Sequence, residues 1–303
     1  MFEEIVALRL KVLSKIKGFQ NLGAMGKVLG DYFQAIDKYK ITDTKLIKVN
    51  DRLIGYLIAS RFFHKFYGHV LTQYIIDYDP DHKEVAIPQL AQEISELGNE
   101  GFCLIELYSP CFDLFEEIDD QWRVAAVSYG GNPEDSLAMA KEKSLGKLNQ
   151  MGLVLEPASS LDQIEAIMAL KLDSFRKNEE LCWYWKCDQF QTQEFMRLVK
   201  SLSQNESFVV LDGEKVVGYA GLSFDPHNPY WGASCGIDLV LKESLHGQGL
   251  SYSLYEYLFE EMKKRGAVFY KGATANTSVI SAAKSFGRWP LYYQILPQGF
   301  SVK

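Results

Sequence analysis

The stretch ESLHGQGLSYSLYEYLFEEMKKRG, residues 243–266, decides which fold is predicted for this chain. Gly247 and Gly249 lack a Cβ atom, so the backbone there can adopt positive φ angles and bring its N–H groups close to a ligand. An apolar stripe at helical spacing follows them, formed by Leu250, Leu254, Leu258 and Met262. The pattern predicts a turn that leads into a helix whose first N–H groups face an anion such as a phosphate.

The loop differs from two common nucleotide-binding loops. No Lys-Ser or Lys-Thr pair follows its last glycine, as the loop of ATPases requires. A third glycine in register is also missing, which disfavours the dinucleotide-binding fingerprint. We therefore expect a phosphate-bearing ligand of another class.

Strand and helix patterns alternate on both sides of this loop. The hairpin SFVVLDGEKVVGYAGLSFD (207–225) and the strand ASCGIDLVL (233–241) precede it. The strand AVFYKGATAN (267–276) and a helix through SVISAAKSFG (278–287) follow it. This order predicts a mixed α/β fold.

An internal repeat extends this prediction to the whole chain. NDRLIGYLIASRF (50–62) aligns with DGEKVVGYAGLSF (212–224), so that Gly55 falls on Gly218. NEGFCLIEL (99–107) aligns with KRGAVFYKG (264–272) in the same order and at almost the same offset. The repeat predicts two copies of one α/β unit, at residues 1–150 and 151–303.

The loop HGQGLS (246–251) resembles the pyrophosphate loop of the GCN5-related N-acetyltransferase (GNAT) family, Arg/Gln-x-x-Gly-x-Gly/Ala, between the family's fourth strand and third helix. The similarity continues with Asn276 after the next strand and Gly287 after the next helix. It covers residues 152–297 well and, through the repeat, residues 40–130 weakly. The resemblance implies two GNAT-like lobes, each a central mixed β-sheet flanked by helices.

The resemblance also implies that the C-terminal lobe binds acetyl-CoA or another acyl-CoA. The implied ligands are Leu239, Val240, Leu241, His246, Gly247, Gln248, Gly249, Leu250, Ser251 and Asn276. His246 and Ser251 depart from the family pattern, but a ring N–H can still donate and a small serine still permits close approach of the backbone. His246 facing solvent and Asn276 capping the next helix are the alternatives.

Two proton-transfer positions of the family are altered. The position of the tyrosine that protonates the leaving thiolate, seven residues after Asn276, is Ala283. The position of the glutamate base, eleven residues before His246, is Cys235, and an ordinary thiol is a poor base. Transfer by direct attack of an amine still gains from proximity. The remaining candidates are Asp225, His227 and Asp238 for the base, and Tyr292 or Tyr293 for the acid, where aromatic packing is the alternative role.

Aromatic residues are the candidates for an acceptor pocket. Trp183, Tyr184 and Trp185 fall where the family's first two helices cover the acceptor, and Tyr230 and Trp231 lie in a loop of the same lobe. Packing between helices explains them nearly as well. In the N-terminal copy the loop position reads DHKEVAI (81–87), and the Glu84 carboxylate would repel a pyrophosphate. That copy is therefore expected to lack the pyrophosphate loop and to act as a structural or acceptor-site wall.

Composition limits the other partners. The chain has 303 residues, a net charge of -7, seventeen Tyr and eighteen Phe, which predicts a globular protein and disfavours a nucleic-acid partner. The five cysteines are scattered without a zinc-like spacing, so we expect free thiols and no metal site. The first residues carry two acids where a signal peptide carries positive charge, and apolar runs fall short of the roughly eighteen residues of a membrane span. We expect a cytoplasmic protein that does not bind a membrane.

The sequence is compatible with three functions. The first is an N-acyltransferase that moves an acetyl or other acyl group from acyl-CoA to a primary amine of a small molecule or peptide. The second is a CoA-binding regulatory or interaction protein without transferase activity, which the altered positions Ala283 and Cys235 favour. The third is an aminoacyl-tRNA-dependent peptide-bridge transferase, which the glycine loop and the lack of a long helical arm disfavour.

Overall fold

The computed structural model describes residues 2–23, 26–27, 40–64, 69–96, 102–118, 120–176, 188–274 and 277–298. In the first half the described elements are α1 (Phe2–Ser14), β1 (Lys40–Val49), β2 (Arg52–His64), β3 (His69–Tyr78), α2 (Lys83–Glu96), β4 (Phe102–Tyr108), α3 (Leu114–Ile118), β5 (Trp122–Gly131), α4 (Pro133–Ser144) and α5 (Lys147–Gln150). In the second half they are β6 (Val154–Pro157), α6 (Leu161–Arg176), α7 (Asp188–Gln204), β7 (Ser207–Asp212), β8 (Lys215–Asn228), β9 (Gly232–Leu241), α8 (Leu250–Lys264), β10 (Phe269–Thr274), α9 (Thr277–Ser285) and β11 (Trp289–Pro297).

All eleven strands belong to one sheet, in the order β1-β2-β3-β4-β11-β5-β10-β9-β8-β7-β6. The pairs β3·β4 and β9·β10 are parallel, and the remaining pairs are antiparallel. Helices pack on both faces of this sheet. The mixed α/β fold predicted from the sequence is confirmed.

The two halves place equivalent residues at equivalent points of the sheet. Gly55 of β2 lies opposite Tyr78, the last residue of β3, and Gly218 of β8 lies opposite Leu241, the last residue of β9. The preceding hairpins turn where the sequence places turn-forming residues. Asn50 and Asp51 both have positive φ angles, 49° and 62°, as a two-residue hairpin turn requires.

The last strand of each half lies inside the other half. β11 pairs with β4 on one side and with β5 on the other, whereas β5 pairs with β10. Each half thus gives one strand to its partner, and the exchange joins them into one sheet.

The two faces near β9 are covered by different helices. On one face, Ile164 and Ile167 of α6 and Leu198 of α7 pack in a cluster with Val209 and Tyr219. On the other face, α8 packs through its fully buried stripe of Leu250, Leu254, Leu258 and Met262, each at most 1% exposed. This stripe fixes α8, and with it the glycine loop, against the sheet.

One predicted helix is interrupted. The sequence pattern of residues 133–151 predicts a single helix, but α4 ends at Ser144 and α5 begins at Lys147. Leu145 and Gly146 between them both have positive φ angles, 46° and 63°, which a continuing right-handed helix does not permit. The break turns α5 toward the glycine loop. Among the described helices, none is long and apolar enough to cross a membrane.

Candidate functional site

Strands β9 and β10 form a fork in the middle of the C-terminal half. Their parallel ladder runs from Phe269–Ser234 to Lys271–Gly236 and contains no later pair. Beyond that point β9 continues to Leu241, paired only with β8, and β10 continues to Thr274, paired only with β5. The described backbone of 237–241 therefore has one edge without a strand partner, and such an edge can bind an extended ligand.

The glycine loop lies at the open end of this fork. Gly247 and Gly249 have φ angles of 75° and 74°, a conformation that side chains disfavour, and Gly249 is the N-cap of α8. No described residue accepts a hydrogen bond from the N–H groups of residues 247–251. The N-terminal end of α8 also carries the positive end of the helix dipole, so the loop suits an anionic ligand.

Three side chains define what else the loop offers. The ring Nε2 of His246 lies 2.9 Å from the carbonyl of Leu241, and the Gln248 amide donates to the carbonyl of Ser244 at 2.9 Å. Both side chains are thus engaged locally, which leaves backbone N–H groups as the principal donors. Lys147 of α5 adds a cation to the loop, because its Nζ donates to the carbonyl of Gln248 at 3.3 Å. The same Nζ lies so close to Gly249 that a Cβ atom there would be only 2.5 Å from it.

The corresponding place in the N-terminal half is built differently. There β3 and β4 pair over six positions, up to Ile76–Leu107, so the fork is closed. A 3-10 turn at Pro80–His82 runs directly into α2, without the four-residue glycine loop. The Asp79 carboxylate accepts from the N–H of Asp81 at 3.1 Å and from Lys11 at 2.6 and 2.7 Å. An internal carboxylate thus lies at this helix end.

Residues 164–287 match the model of the acetyltransferase (GNAT) family. The chain contains a GNAT domain. The match includes both strands of the fork, the glycine loop and α9, and it confirms the resemblance on which the sequence prediction rested. No curated protein matches the chain.

Solved structures show the same fold over both halves. A GNAT-family acetyltransferase from Colwellia psychrerythraea aligns over 92% of this chain and 97% of its own, at 12% identity and a TM-score of 0.51. A GCN5-related N-acetyltransferase from Sphaerobacter thermophilus aligns over 90% and 85%, at 11% identity and a TM-score of 0.50. A structure from a fungal multi-domain GH3 β-N-acetylglucosaminidase with a GCN5-related glucosamine N-acetyltransferase region aligns over 98% and 36%, at 11% identity and a TM-score of 0.53. At these identities the likeness concerns the fold.

The GNAT domain holds most of the predicted ligand positions together. Leu239, Val240 and Leu241 lie on the part of β9 that pairs only with β8. Residues 246–249 lie directly before α8, and Leu250 and Ser251 are its first two residues. Leu250 is fully buried, so only its backbone N–H is available to a ligand. Asn276, Trp183, Tyr184 and Trp185 lie outside the described residues.

Neither altered proton-transfer position supplies an acid or base to the GNAT domain. Cys235 is buried, and burial raises the pKa of its thiol to about 12, although Arg265 opposes the shift, so it stays protonated at neutral pH. Ala283 is fully buried against Val127 and Tyr129. Proton transfer in this domain requires other groups.

Asp238 on β9 belongs to an ion-pair network instead of standing alone. Its carboxylate contacts Lys171 of α6 and lies 3.3 Å from a guanidinium nitrogen of Arg197 of α7. Glu194 of α7 also contacts both cations, at 2.8 and 2.6 Å. Burial opposes its ionisation, but the Arg197 and Lys171 contacts lower the pKa of Glu194 to about 2. The network fixes α6 and α7 to the strand that borders the fork.

The other candidates are distributed over two regions. Asp225 and His227 are exposed near the end of β8, where the Asp225 carboxylate accepts from the His227 N–H at 3.1 Å. Trp231 is buried, with its ring stacked 4.5 Å from that of Phe269, and half-buried Tyr230 stacks on Phe19 at 6.4 Å. This packing leaves little of the Trp231 ring for an acceptor.

Tyr292 and Tyr293 lie on the exchanged strand β11, in the N-terminal half of the sheet. The Tyr292 ring meets Tyr108 edge to face at 6.0 Å, and the Tyr293 ring stacks on Phe112 at 3.7 Å. Burial raises the pKa of Tyr292 to about 12, with Glu106 adding to the shift. Their contacts are those of packed aromatic residues.

Sequence reasoning missed two lysines of the site. Lys147 follows a helix with two basic residues, and the loss of Arg at the first loop position was a signal to look for another cation. Lys271 is a charged residue inside the otherwise apolar strand AVFYKGAT, and such a residue is costly unless it has a role. Within the described residues, no group of three or more His, Cys, Asp or Glu side chains is arranged to hold a metal ion.

Proposed function

We propose that the chain is an N-acyltransferase whose C-terminal half, residues 151–303, transfers an acetyl or similar acyl group from acyl-CoA to a primary amine. The observation that carries the proposal is the fork between β9 and β10 with the unpaired N–H groups of residues 247–251 at its open end. GNAT membership of residues 164–287 supports acyl transfer as the reaction class. The acceptor we propose is an amine of a small molecule or peptide in the cytoplasm.

The dimensions of the fork suit the donor. The free edge of β9 from Leu241 back to Gly236 spans five residues, or about 16 Å at the rise of a β-strand. The pantetheine arm of CoA has about twelve bonds between phosphate oxygen and sulfur, equivalent to four residues of extended backbone or about 14 Å. With the pyrophosphate on the glycine loop, the thioester would reach the closed end of the fork. The arm's two amides could pair with the free edge of β9 as a short strand does.

The loop suits the charge of the donor. Five consecutive N–H groups, the helix dipole of α8 and the Lys147 ammonium all favour a pyrophosphate. In the N-terminal half the Asp79 carboxylate already lies at the equivalent helix end and the fork is closed. We therefore propose that residues 1–150 bind no CoA and serve as a structural partner and acceptor-site wall.

Calorimetric titration of acetyl-CoA into the wild type, Gly249→Glu and Gly266→Glu tests the proposal. Glu at position 249 would place a carboxylate and a Cβ in the loop, whereas position 266 has the same left-handed backbone, with φ of 72° against 74°, at the opposite end of α8. We expect the wild type and Gly266→Glu to bind alike and Gly249→Glu to lose binding. Equal binding by all three proteins, or none by the wild type, would refute it.

The altered proton-transfer positions favour one alternative, a CoA-binding regulatory protein without transferase activity. The Cys235 thiol stays protonated at neutral pH, and the Ala283 side chain has no ionisable proton. The domain therefore lacks both the glutamate base and the tyrosine acid at the family's usual positions. Release of free CoA from acetyl-CoA in the presence of a panel of primary amines separates the two functions. An amine-dependent release that Gly249→Glu abolishes excludes the alternative.

A further inference from the structure

Lys271 lies at the closed end of the fork. It forms the last pair of the β9·β10 ladder, opposite Gly236, and both strands separate after this point. Gly236 has no side chain, so the space beside Lys271 on the neighbouring strand is not filled by a Cβ. A donor seated as proposed above would bring its thioester to this level of the sheet.

The Lys271 side chain faces the side of the sheet that α6 and α7 cover. Its neighbour Tyr270 points the other way, into the cluster with Phe259 of α8, and side chains alternate along a strand. Asp238 of β9, two residues from Gly236, shares the Lys271 face and contacts α6 and α7. Lys271 thus lies on the face of the sheet where the resemblance to the GNAT family places the acceptor amine.

The amine of Lys271 has no hydrogen-bond or ion-pair partner among the described residues. The side chain is half-buried, so the amine is neither paired nor fully hydrated. The charged groups that act on it are Asp225 of β8 and Lys27, and Asp238 on the same face is paired with Lys171 and Arg197.

These surroundings favour the neutral, nucleophilic form of the amine. Burial lowers the pKa of Lys271; Asp225 opposes this shift and Lys27 adds to it. A larger fraction of Lys271 than of a surface lysine is therefore unprotonated near neutral pH. Only an amine with a free electron pair attacks a thioester.

We propose that Lys271 is a self-acetylation site, to which the chain transfers an acyl group from its own bound acyl-CoA. The inference rests on the proposed function, because it needs the donor in the fork. The Nε electron pair attacks the thioester carbonyl, the C–N bond forms and the C–S bond breaks. The proton lost by Nε passes to the thiolate, so that the products are Nε-acetyl-lysine and free CoA.

Mass spectrometry of the full chain with isotopically labelled acetyl-CoA and no added amine tests this inference. Lys200 and Lys215 are exposed and serve as internal controls for uncatalysed acetylation. We expect Lys271 to gain the label at least about tenfold faster than either control. The rate should rise with pH and level off below the pH at which the control lysines level off.

Three variants give the result its meaning. Gly249→Glu should reduce the labelling of Lys271 to the control rate without changing Lys200 or Lys215, and Gly266→Glu should leave the labelling as in the wild type. Lys271→Arg should remove the fast-labelled site while calorimetry still shows acetyl-CoA binding.

The two proposals fail in different ways. Acetyl-CoA binding by calorimetry together with Lys271 labelling at the control rate would overturn self-acetylation and leave the proposed function intact. Fast labelling of Lys271 that persists in Gly249→Glu would also overturn it, because the donor would then not come from the fork. Absence of acetyl-CoA binding in the wild type would overturn the proposed function itself.

Discussion

Lys147 places a positive charge on the glycine loop from outside the GNAT domain. We expect Lys147→Met to weaken binding of CoA about three- to tenfold, because one charge-assisted contact to a phosphate is lost. Lys141→Met is the matched control, since that lysine lies on α4 and pairs with Glu260 at 3.0 Å. Calorimetry at low and high salt checks the prediction.

The effect should shrink at high salt, where charges are screened, and should be absent for pantetheine, which has no phosphate. An equal loss of pantetheine binding would contradict a role on the phosphates and would point to a distorted loop.

Glu194 should make the stability of the protein depend on pH in the acid range. Burial opposes its ionisation, but Arg197 and Lys171 lower its folded-state pKa from 4.5 to about 2. A carboxylate with a depressed pKa stabilises the fold above its unfolded pKa, and this contribution is lost as pH falls from about 4.5 to about 2. Urea unfolding at several pH values across this window should show the loss in the wild type. The unfolding free energy of Glu194→Gln should change less with pH.

The size of the effect separates a structural ion pair from a surface one. For a mostly buried carboxylate we expect the wild type to lose roughly 1–3 kcal/mol more unfolding free energy across the window than Glu194→Gln loses. Identical losses would mean that Glu194 is not held in the ionised state by the network.

At the scale of elements, the N-terminus of α2 carries its own anion. Asp79 is only 1% exposed and pairs with Lys11 and Arg52, whereas Asp81, which shares Lys11, is 56% exposed. We expect Asp79→Ala to destabilise the fold by about 2–4 kcal/mol, because it leaves cations without their buried partner. Asp81→Ala should change stability by less than about 0.5 kcal/mol.

Phosphate should then recover part of the loss, since it can replace the missing carboxylate at the helix end. Thermal melts of wild type, Asp79→Ala and Asp81→Ala with and without phosphate measure this. A phosphate effect of equal size in all three proteins would indicate a general salt effect and contradict a specific anion position.

Elements with local chemistry were predictable from the sequence. The apolar stripe of α8 and the turn at Asn50 and Asp51 fix their own conformation, so the helix and the hairpin follow from short stretches. The break between α4 and α5 was missed because Leu145, a good helix former, adopts a positive φ angle there. The environments of Lys147 and Lys271 depend on segments far away in sequence, which spacing alone does not reveal.

At the scale of the whole molecule, the exchange of β5 and β11 could not be read from the sequence. The repeat predicts two similar units, and each unit by itself accounts for its own strands. Which neighbour the last strand takes is decided by pairing between residues as distant as Tyr108 and Tyr292, and alternating apolar patterns fit either neighbour. The strand order of the structure, unlike the local sequence patterns, shows that the halves share one sheet.

The exchange predicts that the halves do not fold independently. Without residues 151–303, β4 and β5 lose the strand between them, and without residues 1–150, β10 and β11 lose β5. Unpaired central strands leave buried N–H and C=O groups unsatisfied, so each half alone should show no cooperative unfolding transition. Mixing or co-expressing the halves should restore a cooperative transition. Circular dichroism and tryptophan fluorescence should give the same urea midpoint for the complex of the halves. That midpoint should be lower than in the intact chain only by the stability lost because the halves can dissociate. Two monomeric halves that each unfold cooperatively would contradict this prediction, because each would then complete its own sheet without the exchanged strand.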